Sequence, residues 1–278
     1  MEYLATAIQL AREAGGILRH YAERDKQVEF KGWGNLVTIA DKESEERIIR
    51  GIRERYPNHS ILAEESGLSA SNNGAEFRWV IDPLDGTTNF AHGFPVFAVS
   101  MALERRLENE QARIAGIVYD PTRDELFSAE QGKGAQLNGK PIHVSKISGL
   151  KECLVATGFP SHKRHKNPNI FFYHEITLKT HGVRRAGSAA LDLCYVASGR
   201  FDGFWEFNLN PWDTAAGTLI VEEAGGRVSR FDAAPFELNS RETLASNGLV
   251  HEALVHEFQE IFAGRGLGSL PDPRAYQR

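Results

Sequence analysis

The sequence predicts an α+β lobe followed by an α/β lobe. Apolar residues spaced from Leu4 to Leu18 follow one face of a helix. Residues 96–144 then form short β-like runs separated by turn residues, whereas later residues alternate between strand-like and helix-like segments. We therefore expect an α+β lobe at residues 1–147, an α/β lobe at residues 148–264 with the junction near 145–152, and a frayed tail at residues 265–278.

The first lobe continues with a second helix at residues 41–55, because its isoleucines share one face and its charges lie on the other. Apolar runs at residues 60–63 and 77–81 predict two short strands, which end at Glu64 and Asp82. Turn dipeptides such as Asn-Gly divide the β-rich section into a meander. Its strands are expected at residues 96–103, 114–119, 125–129 and 134–137.

The second lobe contains several strand and helix candidates in alternation. Asn210 is a natural N-cap and Pro211 a natural first helical residue, so a helix is expected to begin there. The strands are expected at residues 153–157, 183–184, 203–206, 227–229 and 243–246. The helices are expected at residues 169–180, 188–197, 211–224 and 251–262.

Composition excludes several classes of function. The chain of 278 residues has 41% hydrophobic and 25% charged residues, which is ordinary for a folded domain. A net charge of −5 gives no electrostatic footprint for nucleic acid, apart from a short basic cluster at residues 161–166. No apolar run reaches the roughly 20 residues that span a bilayer, and no signal-peptide pattern is present. With only Cys153 and Cys194, we expect a reducing cytoplasm, no membrane partner and no nucleic-acid partner.

Residues 79–90 (WVIDPLDGTTNF) form the most informative segment of the chain. Asp82 and Asp85 follow an apolar run, and the backbone N–H groups around Gly86, Thr87 and Thr88 could bind a phosphate. Carboxylates beside a phosphate repel it unless cations lie between them. The segment therefore predicts a metal-assisted phosphate site. The alternative is a Pro/Gly turn with two solvated aspartates.

Further acidic residues are expected at the same edge of the fold. Glu64 ends a predicted strand, and Asp213 lies in the first turn of the helix that follows Asn210. Oxygen ligands of this kind suit Mg²⁺ or Mn²⁺. Taken singly, Asp213 is explained by helix capping, Asp41 by a first-turn acid after Thr38, and Glu64 by a solvated pair with its neighbour. Their joint occurrence favours one shared site.

Five segments together closely resemble the signature motifs of the inositol monophosphatase family. The likeness extends from the first helix to about residue 262. It implies a layered α-β-α-β-α sandwich, a homodimer, Mg²⁺-dependent hydrolysis of phosphate monoesters and inhibition by Li⁺. The matching segments are residues 36–41 (LVTIAD), 62–66 (LAEES), 79–90, 185–192 (RAGSAALD) and 211–217 (PWDTAAG).

The resemblance also implies roles for individual residues. Asp41 and Thr87 match the pair that activates the nucleophilic water, which Glu64 also holds. The implied metal ligands are Glu64, Asp82, the backbone carbonyl of Leu84, Asp85 and Asp213, for two or three Mg²⁺ ions with Mn²⁺ as a substitute. The implied substrate-binding residues are Asp85, Gly86, Thr87, Thr88, Gly187, Ser188, Ala189, Glu206 and Asp213.

The choice of substrate depends on the second lobe. A carboxylate at Glu206 suits a polyol, because it accepts hydrogen bonds from vicinal hydroxyls; the alternative is a strand-end acid paired with a surface base. Residues 187–190 and 204–206 look more like the inositol phosphatase branch than the histidinol-phosphate branch. We expect hydrolysis of inositol monophosphates such as myo-inositol 1-phosphate. Fructose-1,6-bisphosphatase, histidinol-phosphatase and nucleotide 3′-phosphatase activities, and a non-catalytic regulatory binding protein, are the alternatives.

Overall fold

A computed structural model describes residues 2–22, 28–32, 35–69, 74–106, 111–159 and 167–265 of the chain. The predicted basic cluster at residues 161–166 and residues 266–278 of the predicted tail lie outside the described residues. No helix of the described part is both long enough and apolar enough to cross a membrane.

The described residues form seven α-helices. They are α1 (Glu2–Ala22), α2 (Ile39–Arg55), α3 (Thr87–His92), α4 (Asn169–Lys179), α5 (Ala189–Ala197), α6 (Pro211–Glu223) and α7 (His251–Phe262). Helix α6 begins as the sequence predicts, with Asn210 at the N-cap and Pro211 at the first helical position, where no backbone N–H is needed.

A large mixed sheet occupies the first half of the chain, beside a separate hairpin of β1 (Val28–Gly32) and β2 (Asn35–Thr38). Its strands are β3 (Ser60–Ala63), β4 (Gly67–Ser69), β5 (Phe77–Asp85), β6 (Ala98–Arg106), β7 (Gln111–Asp120), β8 (Glu125–Glu130), β9 (Ala135–Leu137) and β10 (Lys140–Ile142). The spatial order is β10-β9-β8-β7-β6-β5-β3-β4. All neighbours are antiparallel except β3 and β5, so both of these strands end at the same edge.

A smaller sheet follows in the second half. Its strands are β11 (Leu154–Thr157), β12 (Gly182–Arg184), β13 (Gly203–Phe207), β14 (Arg227–Ser229) and β15 (Glu242–Ser246). The order is β12-β11-β13-β15-β14, parallel across the first three strands and antiparallel across the last two.

Helices and sheets alternate in layers, as apolar packing requires. Helices α1 and α2 cover the outer face of the large sheet, where Leu10 and Trp79 are buried. Helices α5 and α6 lie between the two sheets, with Leu193 in the shared core. Helices α4 and α7 cover the far face of the small sheet around Phe172 and Trp205. The predicted α-β-α-β-α sandwich is confirmed.

Two glycines allow α6 to approach its neighbours closely. A Cβ on Gly116 of β7 would lie 3.0 Å from the backbone oxygen of Ala216, and a Cβ on Gly217 would lie 2.7 Å from the side chain of Leu193. Because neither glycine has a Cβ, the helix packs tightly against the large sheet and α5. This close packing fixes the start of α6, where Asp213 lies.

The structure differs from the sequence prediction around the most informative segment. Strand β5 does not end at Ile81 but continues to Asp85, with an irregular register opposite β6 between Asp82 and Asp85. Pro83 lies in this irregular part, which needs no N–H from it. The short helix α3, the β1–β2 hairpin and strands β4 and β10 were also not expected. The division into lobes near residues 145–152 stays a prediction.

Candidate active site

The end of β5 places two carboxylates beside a sharp change of direction. The backbone N–H of Leu84 donates to Oδ1 of Asp82 at 3.0 Å, which orients that carboxylate. Gly86 follows with φ of +97°, and a Cβ there would lie 2.8 Å from the carbonyl oxygen of Val96. Only glycine fits this backbone conformation and this contact. Helix α3 therefore starts directly after Gly86, with Thr87 and the exposed Thr88 in its first turn.

Asp41 is fixed at the start of α2 and contacts this segment. Its Oδ2 accepts hydrogen bonds from the backbone N–H and the hydroxyl of Thr38, at 2.7 and 2.5 Å. The Thr87 hydroxyl lies 3.3 Å from Asp41 Oδ1 and 3.1 Å from the carbonyl oxygen of Leu84. Burial raises the pKa of Asp41 to about 6, although the hydrogen bonds from Thr38 oppose this shift. The predicted pair of Asp41 and Thr87 is thus brought together.

Glu64 and Asp213 reach the same place from different elements. Glu64 begins the turn after β3, and its backbone N–H donates to the carbonyl oxygen of Ile81 in β5 at 3.2 Å. Oδ2 of Asp213 accepts hydrogen bonds from the backbone N–H of Asn210 at 2.7 Å and from its amide at 3.3 Å. We call Glu64, Asp82, Asp85 and Asp213 the acidic cluster.

Burial raises the pKa values throughout the acidic cluster, and repulsion between carboxylates adds to this effect at Glu64, Asp82 and Asp213. The pKa of Glu64 rises to about 8 through burial and then the charge of Asp213. The pKa of Asp213 rises to about 7 through burial and then the charge of Asp85. Burial and Glu64 hold the pKa of Asp82 well above its usual range. Burial raises the pKa of Asp85 to about 6, opposed by a hydrogen bond from Ser188.

The donor set of the acidic cluster fits a hard divalent cation. All its side chains carry carboxylate oxygens, the type of ligand that Mg²⁺ and Mn²⁺ prefer. A cation between them would offset the repulsion that raises their pKa values. Within the described residues, no three Asp, Glu, His or Cys side chains already form a closed set of metal ligands. The backbone carbonyl of Leu84 and water would add further oxygen ligands.

The start of α5 is joined to the acidic cluster by direct hydrogen bonds. The Ser188 hydroxyl donates to Oδ2 of Asp85 at 2.6 Å, and the Ala190 N–H donates to the same oxygen at 2.8 Å. Gly187 precedes them with φ of +86°, a conformation that favours glycine. The predicted residues Gly187, Ser188 and Ala189 therefore lie beside Asp85 of the acidic cluster, although more than 100 residues separate the two segments in the sequence.

Glu206 of β13 is buried, and the charges of Asp213 and Asp85 act on its carboxyl group. A Cβ on Gly158 would lie 2.1 Å from Glu206 Oε2, so glycine makes room for this carboxylate. Burial, followed by the charge of Asp192, raises the pKa of Glu206 well above its usual range. This burial does not fit the alternative of a strand-end acid paired with a surface base. We call Gly158, Asp192 and Glu206 the Glu206 region.

Sequence analysis missed two residues of the site. Asp192 is buried, and its Oδ1 has no hydrogen-bond partner among the described residues. Its position four residues after Ser188 on a helix was the available signal. Asn89 was also missed: its amide lies 2.7 Å from the carbonyl oxygen of Val96 and 2.8 Å from that of Ala186. Asn89 therefore links α3 to the loop before α5.

Comparison with known proteins identifies the family. The sequence model of the family described as "Inositol monophosphatase family" matches residues 1–263. The chain belongs to the inositol monophosphatase family. Membership confirms the resemblance seen in the sequence and supports phosphatase activity, and this family is generally metal-dependent.

Relatives within the family have two kinds of name. The chain is 45% identical over 256 residues to an inositol-1-monophosphatase from Synechocystis, covering 91% of this chain and 87% of the relative. It is 42% identical over 262 residues to the Nus factor SuhB of Pseudomonas aeruginosa, covering 92% and 95%. The structure of inositol monophosphatase from Anabaena is similar, with a TM-score of 0.82 and 41% identity over 99% of this chain and 98% of that chain.

Proposed function

We propose that this member of the inositol monophosphatase family is a Mg²⁺-dependent phosphomonoesterase that converts inositol monophosphates, such as myo-inositol 1-phosphate, into inositol and phosphate. The main support is the acidic cluster, whose buried and half-buried carboxylates raise one another's pKa values beside the turn at Gly86. A homodimer in the cytoplasm belongs to the same proposal and follows from the family resemblance and the cysteine content.

The acidic cluster and the Leu84 carbonyl would hold two or three Mg²⁺ ions, with Mn²⁺ as a substitute. When bound, these ions supply the positive charge that stabilises the phosphate oxygens and makes water a better nucleophile at neutral pH. The carboxylates need to be deprotonated for this role. Their raised pKa values make metal binding compete with protons between about pH 6 and 8.

The protein's own groups would position the reactants. Glu64, together with Asp41 acting through the Thr87 hydroxyl, orients the attacking water. The backbone N–H groups of Gly86, Thr87 and Thr88 bind the phosphate oxygens. Phosphoryl transfer depends mainly on such positioning and on electrostatics, so no nucleophilic serine or cysteine is required.

The polyol would lie between the start of α5 and β13. Gly187, Ser188 and Ala189 contact its ring, and Glu206 accepts hydrogen bonds from its hydroxyls, beside the charged ends of Asp85 and Asp213. A fructose 1,6-bisphosphate, histidinol phosphate or adenosine 3′,5′-bisphosphate leaving group would need other contacts there. These three compounds are the competing substrates.

A phosphate-release panel tests the proposal. Purified protein is assayed with inositol 1-phosphate and with the three competing substrates, in Mg²⁺, in chelator, and in Mg²⁺ with Li⁺. We expect the highest kcat/KM for inositol 1-phosphate, no release in chelator and inhibition by Li⁺. A higher kcat/KM for another member of the panel would reassign the substrate.

The names of the SuhB relatives favour a second candidate, a Nus factor. This role does not require turnover. The test is whether an Asp85→Asn variant can replace a SuhB protein in its host. If the variant does so as well as the unchanged chain, while releasing no phosphate, the Nus-factor role is supported. Loss of both properties in the same variant would tie any such role to the active site.

A further inference from the structure

One face of α2 contacts two segments of the candidate active site. Asp41, Ser44 and Glu45 have the spacing i, i+3 and i+4, which places their side chains next to one another on a helix. All three are buried, with at most 4% of their surface exposed. Buried polar side chains need hydrogen-bond partners, and these three find theirs in the segment from Pro83 to Thr87 and in the turn after β3.

Asp41 and Ser44 contact the segment from Pro83 to Thr87, at the end of β5 and the start of α3. Asp41 Oδ1 lies 3.3 Å from the Thr87 hydroxyl. The Ser44 hydroxyl donates to the carbonyl oxygen of Pro83 at 2.9 Å. Pro83 lies between Asp82 and Leu84, so this bond holds the backbone that supplies two of the proposed metal ligands.

Glu45 makes a different contact, with the turn that begins at Glu64. Its Oε2 accepts a hydrogen bond from the backbone N–H of Glu65, and its Oε1 accepts one from the backbone N–H of Ser66, both at 2.9 Å. Both carboxylate oxygens are therefore used. Charged acceptors make stronger hydrogen bonds than neutral ones, and two parallel bonds also fix orientation.

The two hydrogen bonds that Glu45 accepts complete the support of Glu64. On the other side, the backbone N–H of Glu64 donates to the carbonyl oxygen of Ile81 in β5 at 3.2 Å. Glu64 is therefore held from one side by β5 and from the other by the two N–H groups that follow it. The backbone position from which the Glu64 side chain extends is fixed only while both sets of hydrogen bonds are present.

We propose that Glu45 is a positioning residue, which fixes the turn of Glu64 so that the Glu64 carboxylate is in place for the metal. The inference rests on the proposed metal-dependent function, and Glu45 acts in it only through Glu64. Residues that hold metal ligands by hydrogen bonds commonly affect metal affinity or activity by about 10- to 100-fold when they are changed.

Glu45→Gln tests this role, with Glu46→Gln as the matched control. Gln keeps the size of the side chain but has only one acceptor oxygen. Its NH₂ group would therefore face one of the two backbone N–H groups, donor against donor. The neighbouring Glu46 is exposed and receives the same chemical change. We expect E45Q to raise the Kd of Mg²⁺, measured by calorimetry, about 10- to 100-fold. E46Q should change it less than about twofold, and KM for inositol 1-phosphate at saturating Mg²⁺ should change less than about threefold in both variants.

A double-mutant cycle separates positioning from general damage to the fold. In a Glu64→Gln background, the E45Q change should alter the Kd of Mg²⁺ less than about threefold, because the group through which Glu45 acts is already altered. A full effect of E45Q in both backgrounds would overturn the proposal. So would an unchanged Kd of E45Q in the otherwise unaltered chain.

If E45Q does not fold, amide hydrogen exchange of the unaltered protein decides. The amides of Glu65 and Ser66 should be protected before metal is added, whereas exchange at the rate of free amides would overturn the proposal. The two levels of inference fail differently. If E45Q raises the Kd of Mg²⁺ but the protein hydrolyses no substrate of the panel, only the phosphatase proposal is refuted. If the protein hydrolyses inositol 1-phosphate but E45Q leaves the Kd of Mg²⁺ unchanged, only the positioning role of Glu45 is refuted.

Discussion

The acidic cluster and the Glu206 region both contain carboxylates that are buried or half-buried, but these carboxylates are held differently. In the acidic cluster, Asp82, Asp85 and Asp213 accept hydrogen bonds from backbone N–H groups or a hydroxyl. In the Glu206 region, the Oδ1 atom of Asp192 has no partner among the described residues, and burial raises the pKa of both acids. Prearranged carboxylates suit an ion that stays in one place. A buried carboxylate oxygen without a hydrogen-bond partner suits a ligand that brings its own hydrogen-bond donors.

The largest expected effect comes from Asp85→Asn, which removes one charge from the acidic cluster. The amide oxygen of Asn can still accept the hydrogen bonds of Ser188 and Ala190, so the fold should be retained. Its NH₂ group would then face the metal. A loss of about 4 kcal/mol of transition-state stabilisation corresponds to about a 10³-fold fall in kcat. Phosphate release measures this, with the circular-dichroism spectrum as the control for folding. A folded variant with near-normal kcat would refute the metal-ligand assignment.

Glu206→Gln tests whether the second region selects the leaving group. Loss of hydrogen bonds to a charged acceptor costs about 1.5–3 kcal/mol, so kcat/KM for inositol 1-phosphate should fall about 10- to 100-fold. For p-nitrophenyl phosphate, which has no vicinal hydroxyls, it should change less than about threefold. Steady-state kinetics with both substrates gives the comparison. An equal fall for the two substrates would assign Glu206 to the metal rather than to the polyol.

Local patterns in the sequence predicted the fold better than the connections within the site. Helix α6 was predicted correctly because the start signals, Asn210 and Pro211, lie next to each other. Helix α3 was missed because it is short and begins after Gly86, whose left-handed conformation depends on the contact with Val96. The bond between Ser188 and Asp85 joins residues 103 positions apart. No local pattern contains that information, and only the family resemblance placed the two segments together.

The Asn89→Ala variant tests the connection between the two regions. Its amide links α3 to the carbonyl oxygens of Val96 and Ala186, so its loss should loosen the start of α5 relative to the acidic cluster. We expect kcat/KM for inositol 1-phosphate to fall about tenfold, which corresponds to about 1.4 kcal/mol. The Kd of Mg²⁺, measured by calorimetry, should change less than about threefold. A larger effect on Mg²⁺ than on kcat/KM would place Asn89 in the support of the metal site.

The smallest expected effect is on the stability of the fold, and its dependence on pH comes from the carboxylates of the acidic cluster. The folded-state pKa values of Glu64, Asp85 and Asp213 are raised to about 8, 6 and 7. These groups therefore favour the folded state below their unfolded pKa values near 4, and this contribution is lost as the pH rises through about 6 to 8.

In metal-free protein, calorimetry should show Tm falling by at least about 3 °C between about pH 5.5 and 8, since about 1 kcal/mol shifts the Tm of a domain of this size by about 2–4 °C. Saturating Mg²⁺ should reverse this fall, because the cation replaces the protons. Changing the exposed Asp232 to Asn should leave the profile unaltered, whereas removing one charge by Asp85→Asn should flatten it. A Tm that rises with pH in the metal-free protein would contradict the raised pKa values, and with them the difference between the two regions.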